Sequence, residues 1–277
     1  MFDITGSIVL YKNSPALVKK AIASFLNTKL NVRLYLIDHS PNEDLKFLGE
    51  DDRIEYIANP LNPGFGAGHN VAIRKAAEKS KFHAVINPDI YYNEGVIEPI
   101  IDFFEQYPRI GTVMPKILYP DGRTQYLAKL LPTPLDFIVR RFIPFDFIRN
   151  KIDNRFELRK SGYNRSFNVP FLSGCFIIFR TSALLKIGAF DENIFMYTED
   201  IDICRRIIDL GYRCMFFPSV SVYHDHERKS FVDFKIFKIY LKSAIYYFNK
   251  WGWFFDRGRE KINHDTLKQF SALKGAY

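Results

Sequence analysis

Apolar residues come in short blocks along this chain, and the spacing within them shifts between strand-like and helix-like. ITGSIVLY (4–11) reads as a buried strand. In 15–27, Leu17, Ala21, Ile22 and Phe25 recur at helical spacing, and Ser14-Pro15 gives a cap followed by proline at the first helical position. Further strands are expected at 32–38, 53–59, 83–89 and 110–119, with helices over 66–78 and 94–107. Strands that alternate with helices imply βαβ units and a parallel sheet. Ligands of such sheets bind beyond the carboxyl ends of the strands. The positions to inspect are Tyr11, Asp38, Asn59–Asn70 and Asn87-Pro88-Asp89.

The second half breaks the alternation. Residues 130–160 hold three prolines and the basic, aromatic run FIVRRFIPFDFIRNK, which reads as either a helical lid or a mobile excursion. A strand is expected over 168–180, short helices over 181–188 and 198–210, and a strand over 213–224. Residues 231–251 read as a basic, aromatic helix. Its Phe234, Phe237, Tyr240, Leu241 and Ile245 share one face, to be packed on the protein's own core or laid against lipid.

Composition narrows the class. With 277 residues the chain forms one large domain or two small ones, and 47% apolar against 25% charged residues excludes wholesale disorder. VPFLSGCFIIF, among the longest apolar runs, falls well short of the ~20 residues of a spanning helix, so none is expected. The opening residues read as a core strand, not a secretory leader. Cys175, Cys204 and Cys214 lack CxxC spacing and read as buried thiols in a reducing compartment. The net charge of +8 is concentrated in Lys129–Arg165 (nine basic, four acidic) and Arg228–Lys261 (nine basic, three acidic). Basic groups interleaved with aromatics suit an anionic, partly apolar membrane surface. No nucleic-acid-binding motif is present, so nucleic acid is not the expected partner.

Four segments carry candidate chemistry. Asn87-Pro88-Asp89 is either a strand-ending turn or a site where a carboxylate meets a divalent cation on phosphate oxygens. In TEDIDICRR, Thr198 can cap a helix with Glu199, Asp200 and Asp202 in its first turn. The same density of carboxylates suits a general base. His224 and His226 end a strand and share a face if it continues, so both can meet one ion. NPLNPGFGAGHN (59–70) lacks the P-loop ending and a clean GxGxxG. It is a turn-rich loop, or one whose glycines admit an anion to the following helix N-terminus.

Taken in order, SIVLYKN, LIDHSPNED, NPLNPGFGAGHN, INPDI, FLSGCFIIFRTSAL, GAFDENIFMYTEDIDICRRIIDLGY and VYHDHERKS resemble the family 2 inverting nucleotide-sugar glycosyltransferases. They look most like the bacterial rhamnosyltransferase-like branch that builds surface polysaccharides such as O-antigen. The resemblance covers roughly 4–250. It implies an α/β, GT-A-type, Rossmann-like and mostly parallel sheet flanked by helices. Donor-binding residues would be Tyr11, Asp38 (to the nucleobase), Asn62, Gly64, Asn70, Asn87 and Asp89. Asp89 and His224 would hold Mn2+ or Mg2+ on the diphosphate. Asp200 would be the base that deprotonates the acceptor hydroxyl, with Glu199 binding acceptor or orienting the base. Two departures stand out: Asn87 replaces the first acid of the family's D-x-D, and His39-Ser40-Pro41 follows Asp38.

The expected organisation is a catalytic domain over 1–227, with 130–165 as an acceptor-side lid, and a helical, membrane-proximal extension over 228–277. The expected activity is inverting transfer of rhamnose, or another deoxyhexose or hexose, from a nucleotide diphosphate to a saccharide acceptor, lipid-linked in this reading. The place expected is the cytoplasmic face of the cell membrane. Two other classes compete with this reading: an inactive nucleotide-binding scaffold at the membrane, and an oxidoreductase on a related sheet. The oxidoreductase lacks an early GxGxxG after its first strand.

Overall fold

The computed structural model describes residues 1–137, 146–225 and 234–271. Strands β1 (Phe2–Leu10), β2 (Val32–Asp38), β3 (Ile54–Ala58) and β4 (Ser80–Ile86) alternate with helices α1 (Pro15–Leu26) and α2 (Phe65–Ala76), as the periodicity predicts. β5 (Ile90–Tyr91), α3 (Ile97–Gln106) and β6 (Ile110–Leu118) follow. After them come β7 (Ala128–Lys129), α4 (Asp146–Phe156), β8 (Phe167–Asn168), β9 (Phe171–Leu172) and β10 (Phe176–Arg180). The chain continues through α5 (Thr181–Ile187), α6 (Glu199–Asp209), β11 (Arg213–His224), α7 (Phe234–Trp251) and α8 (Arg257–Lys268).

The main sheet runs β3-β2-β1-β4-β10-β6-β11-β5, with β8 beside β11. β1 to β4 pair in parallel, as do β6 and β11, whereas β10, β5 and β8 run antiparallel to their neighbours. The carboxyl ends of β1, β2 and β4 therefore open onto one edge. β4 leaves the sheet after Ile86, earlier than expected, so all of Asn87-Pro88-Asp89 lies past the strand.

The single strand expected over 168–180 is three. Pro170 cannot donate to a ladder and Ser173-Gly174 turns the chain, so β8 joins β11 and β9 joins β7. β10 then inserts between β4 and β6, with Phe176 opposite Ile86. That register brings the Ser173–Cys175 turn to the carboxyl end of β4, where the Cys175 carbonyl accepts from the Asn87 amide at 2.8 Å.

The 130–165 segment is helical over Asp146–Phe156, and Leu130, Leu131, Phe156, Leu158 and Tyr163 are buried in the main core. The described parts are thus packed structure, while the centre of the basic run (138–145) lies outside the described residues.

α7 buries Ser243, Ala244, Tyr247 and Phe248, a stripe rotated from the one the sequence suggested. Phe234, Leu241 and Ile245 of the expected stripe stay exposed, at 68, 46 and 41%. Tyr247, Phe248 and Phe270 join the same continuous core as the sheet. Helix α8 lies in the extension over 228–277 expected to be helical, though its bounds were not read from the sequence. It starts at Asp256, whose carboxylate accepts from the Arg259 amide at 2.9 Å. The same carboxylate makes a buried, bidentate pair with Arg205 of α6, both contacts 2.6 Å. No helix of the described residues is long and apolar enough to cross a membrane.

Candidate active site

At the β1/β2 edge, Asp38 is buried, and its carboxylate accepts from the Ser40 amide at 2.8 Å and the Tyr56 hydroxyl at 2.7 Å. Burial and then the Asp38 contact push the Tyr56 hydroxyl well above its ordinary value, so it stays a donor. Ser40 Oγ accepts from the Lys12 amide at 2.8 Å, which ties the loop after β1 to the loop after β2. Tyr11 beside it is half exposed. The unusual His39 is structural. Its backbone N–H donates to Leu10 O at 2.9 Å and its Nδ1 to Asn59 O at 2.7 Å, linking the ends of β1, β2 and β3. Gly68 makes room for it, since a Cβ there would lie 2.6 Å from His39 Nε2.

The Gly-rich loop docks on the segment that leads to the acids. Gly64 has φ of 107°, a region that favours glycine, and a Cβ on it would meet Phe195 O at 2.4 Å. The next amide, of Phe65, donates to that carbonyl at 2.9 Å. Asn62 is half-buried with φ of 43°. The Asn70 carboxamide is engaged elsewhere. It spans the backbone N–H and C=O of Phe190, both at 2.9 Å, and donates to Glu192 at 2.9 Å. Asn70 therefore fixes α2 to the 188–198 loop.

Asp89 and His224 are brought together by the pairing of Ile90 with His224 across β5 and β11, closed by the Asp225 amide donating to Asp89 O at 3.0 Å. His224 Nε2 lies 3.3 Å from Asp89 Oδ1. Its Nδ1 faces Gln125 Oε1 at 3.0 Å. Asn87, on the same turn, is half-buried. His226 lies outside the described residues. Among the described residues no cluster of three His, Cys, Asp or Glu is placed to hold a metal, and those residues offer two protein ligands here, Asp89 and His224. A carboxylate oxygen and an imidazole nitrogen fit a divalent cation that also takes phosphate oxygens.

The three carboxylates at the start of α6 have separate roles. Asp202 is structural, bonded to Arg206 at 2.7 Å, Lys250 at 2.8 Å and Trp251 Nε1 at 2.8 Å. Asp200 accepts from the Gly174 amide at 3.1 Å and the Ile201 amide at 2.9 Å. Glu199 is buried and its Oε2 has no hydrogen-bond partner among the described residues. Burial raises both acids, and the Asp200 charge raises Glu199 further. The two acids therefore titrate as a pair, both above the ordinary carboxylate range. Contrary to the expectation from sequence, Thr198 does not cap the helix with its side chain. Its hydroxyl donates to Ser243 O on α7 at 3.2 Å. Just before it, Tyr197 has φ of 90°, strained for a bulky residue.

Cys175 joins the two halves. Its thiol is pushed up to about 12, by burial first, with the charges of Asp89 and Asp200 adding to it. Both carboxylates therefore act on one buried group at the β4/β10 edge. The other two cysteines are also free and buried. Gln125, Tyr56, Gly174 and Cys175 were not among the expected site residues. Each reaches the site through a strand pairing or turn that no local motif announces.

Residues 7–188 match the family described as Glycosyl transferase family 2. The chain is 25% identical to the N-acetylglucosaminyl-diphospho-decaprenol L-rhamnosyltransferase of Mycobacterium tuberculosis, over 78% of this chain and 74% of that protein. It is 26% identical to the rhamnosyltransferase WbbL of Escherichia coli, over 70% of this chain and 73% of that one. Among solved structures it resembles GalNAc-T7, crystallised with UDP, GalNAc and Mn2+, with a TM-score of 0.62 and 13% identity. That match covers 83% of this chain but only 44% of the longer GalNAc-T7 chain, and it concerns the fold, a mostly parallel GT-A sheet flanked by helices. With the family match spanning most of the sheet and the glycine-rich loop, the chain belongs to glycosyl transferase family 2.

Proposed function

We propose that this glycosyltransferase moves a sugar, with inversion, from a nucleoside-diphosphate donor to a hydroxyl of a lipid-linked saccharide, in the synthesis of a surface polysaccharide. Rhamnose, or another deoxyhexose or hexose, is the sugar of this reading, in line with the relatives named rhamnosyltransferases. The observation that carries it is the pair of the buried Glu199 and the half-buried Asp200, whose carboxylate the Gly174 amide holds at the edge where the sheet opens. Inverting transfer is a single displacement that needs one base at the acceptor hydroxyl and no covalent nucleophile. Asp200 is that base, and Glu199, kept protonated by burial, donates toward acceptor or water and leaves the negative charge on its neighbour. Asp38, held by Tyr56 and Ser40, accepts from the nucleobase. The loop at Tyr11, Asn62 and Gly64 lies along the donor, and Asn87 faces the diphosphate.

Asp89 and His224 would hold Mn2+ or Mg2+, which when bound neutralises charge on the leaving diphosphate. The pairing of β5 with β11 supports this, since it sets both side chains against one point.

The protein acts at the inner face of the membrane as a peripheral protein. Supporting this are the exposed Phe234, Leu241, Ile245, Phe254 and Phe255 beside the exposed Lys235, Lys238 and Lys242. Their opposite face holds the base helix, through Lys250–Asp202 and Arg205–Asp256.

The reading is tested by incubating the protein with a panel of nucleotide sugars and assaying nucleoside-diphosphate release, with Mn2+, with Mg2+ and with EDTA. Release from one donor class, lost with EDTA, is expected. No release from any donor, with nucleotide still bound, contradicts the enzyme reading and leaves a binding scaffold.

A further inference from the structure

Gln125 sits between β6 and β7, 5% exposed, and is engaged at both ends of its carboxamide. Its Nε2 donates to His224 O at 2.9 Å and faces Leu118 O at 3.4 Å, while its Oε1 faces His224 Nδ1 at 3.0 Å. The orientation of the amide follows from these partners. Carbonyl oxygens only accept, so the NH2 must point to them, and Oε1 must point to the ring. His224 Nδ1 then has to be the nitrogen that carries the proton. In the neutral ring Nε2 is left with its lone pair, and it is this atom that lies 3.3 Å from Asp89 Oδ1. Two acceptors face each other across a distance that one cation with bonds of ~2.1 Å can bridge.

We infer that Gln125 is a positioning residue that fixes the tautomer of His224, so that Nε2 is presented as a metal ligand beside Asp89. The inference rests on the reading of Asp89 and His224 as a divalent-cation site, and adds to it a residue that touches neither metal nor substrate. Gln125 also clamps the β11 end that carries His224, because one side chain bonds both the ring and the backbone carbonyl of the same residue. An apolar replacement frees the ring to turn and to take the Nε2–H form, which cannot ligate through Nε2. A glutamate keeps the acceptor for Nδ1–H, and so keeps the tautomer while losing the donor to the carbonyls.

The experiment uses the full chain, and Mn2+ alone is the probe. Free Mn2+ is followed by electron paramagnetic resonance in titrations of wild type, Gln125→Leu and Gln125→Glu. In parallel, histidine-labelled wild type without metal is examined by 15N NMR, with the His224 signal assigned by its loss in His224→Gln. The wild type should bind Mn2+. Gln125→Leu should bind it ~10–100-fold more weakly, the usual cost of losing an outer partner of a ligating histidine, and Gln125→Glu within a few-fold of wild type. The His224 nitrogens should show Nδ1 protonated and Nε2 bare. A wild type that binds no Mn2+ removes the cation site itself. A wild type that binds Mn2+ while Gln125→Leu binds it equally well removes the role of Gln125 alone. A protonated Nε2 in the metal-free wild type overturns the inference without any variant, and so holds even if Gln125→Leu does not fold.

Discussion

The Asp200 carboxylate accepts from the Gly174 amide at 3.1 Å, so the acid at the start of α6 is held by the turn that leads into β10. The proposed base is therefore set against the same sheet edge that carries Asn87 and Asp89, since that turn also bonds Asn87 through Cys175 O. Two consequences concern protonation. Burial raises the Asp200 carboxyl, so the acid limb of kcat/KM should lie well above the ~4 of an exposed carboxylate. Activity rises with pH as Asp200 ionises. Glu199→Gln mimics the protonated Glu199, so it should leave that limb within about half a unit. A limb that drops sharply in Glu199→Gln would mean Glu199 is ionised in the working enzyme. The check is a pH–rate profile of both proteins.

The buried pair of Arg205 with Asp256 joins α6 to α8, and Asp256 also caps α8. Asp256→Ala leaves a buried guanidinium without its carboxylate and should cost ~3–5 kcal/mol. Urea unfolding measures it. A loss below about 1 kcal/mol would show that solvent reaches Arg205 and that the pair is not a clamp.

How much of this was legible in the sequence follows from the range of the interactions involved. The first four strands and two helices obey local periodicity, and α1 starts at Pro15 as expected, although the Ser14 side chain makes no capping hydrogen bond. Asp38, Asp89 and Asp200 sit where strand ends and a helix start put them. What local pattern could not give is lateral order. β10 enters between β4 and β6 from far along the chain, which alone places Gly174 under Asp200. The roles of Asn70 and Asp202 escaped for the same reason. An amide in the helix after a glycine-rich loop and a third carboxylate look like site residues until Phe190, Arg206 and Trp251 are seen to use them. The buried stripe of α7 was misplaced because aromatic residues occur on both faces of that helix, so spacing alone does not choose between them.

Histidines under the site give a pH signature of stability. Thr5 Oγ1 lies 2.8 Å from His83 Nδ1, and Ser7 Oγ lies 2.9 Å from His83 Nε2 and 2.7 Å from His69 Nδ1. Burial lowers both rings, His83 to about 3 and His69 well below its ordinary value. Neutral in the folded state, they take protons only on unfolding, so their contribution is full above about pH 6.5 and lost as pH falls below it. The raised Glu199 and Asp200 act in the opposite sense. In Glu199→Gln/Asp200→Asn, where that opposition is gone, the two histidines should remove about 3 kcal/mol of stability between pH 7.5 and 5.5. Urea midpoints at both pH values test this; about half the change would mean that one ring takes a proton in the fold, and no change that both do.

Membrane attachment is tested on the tip between α7 and α8. Phe254 and Phe255 are 69 and 98% exposed, whereas the Trp253 ring packs on Phe248 at 5.1 Å. Phe254→Ser/Phe255→Ser therefore removes lipid contact without touching the core. Wild type should co-sediment with vesicles containing phosphatidylglycerol, less so as salt rises, since each basic group adds ~1 kcal/mol near an anionic surface. The double variant should bind at least several-fold more weakly and release nucleoside diphosphate from soluble donor at the wild-type rate. Absence of binding at low salt contradicts the attachment.

The central claim is that Asp200 is the base of an inverting transfer. The measurement that bears on it most directly is the rate of transfer by Asp200→Asn with the donor found in the panel, set beside donor affinity by calorimetry. Asparagine keeps the size and cannot accept the proton, so the rate should fall ~10²–10⁴-fold while donor affinity stays within a few-fold. Near-normal turnover by Asp200→Asn would contradict the claim.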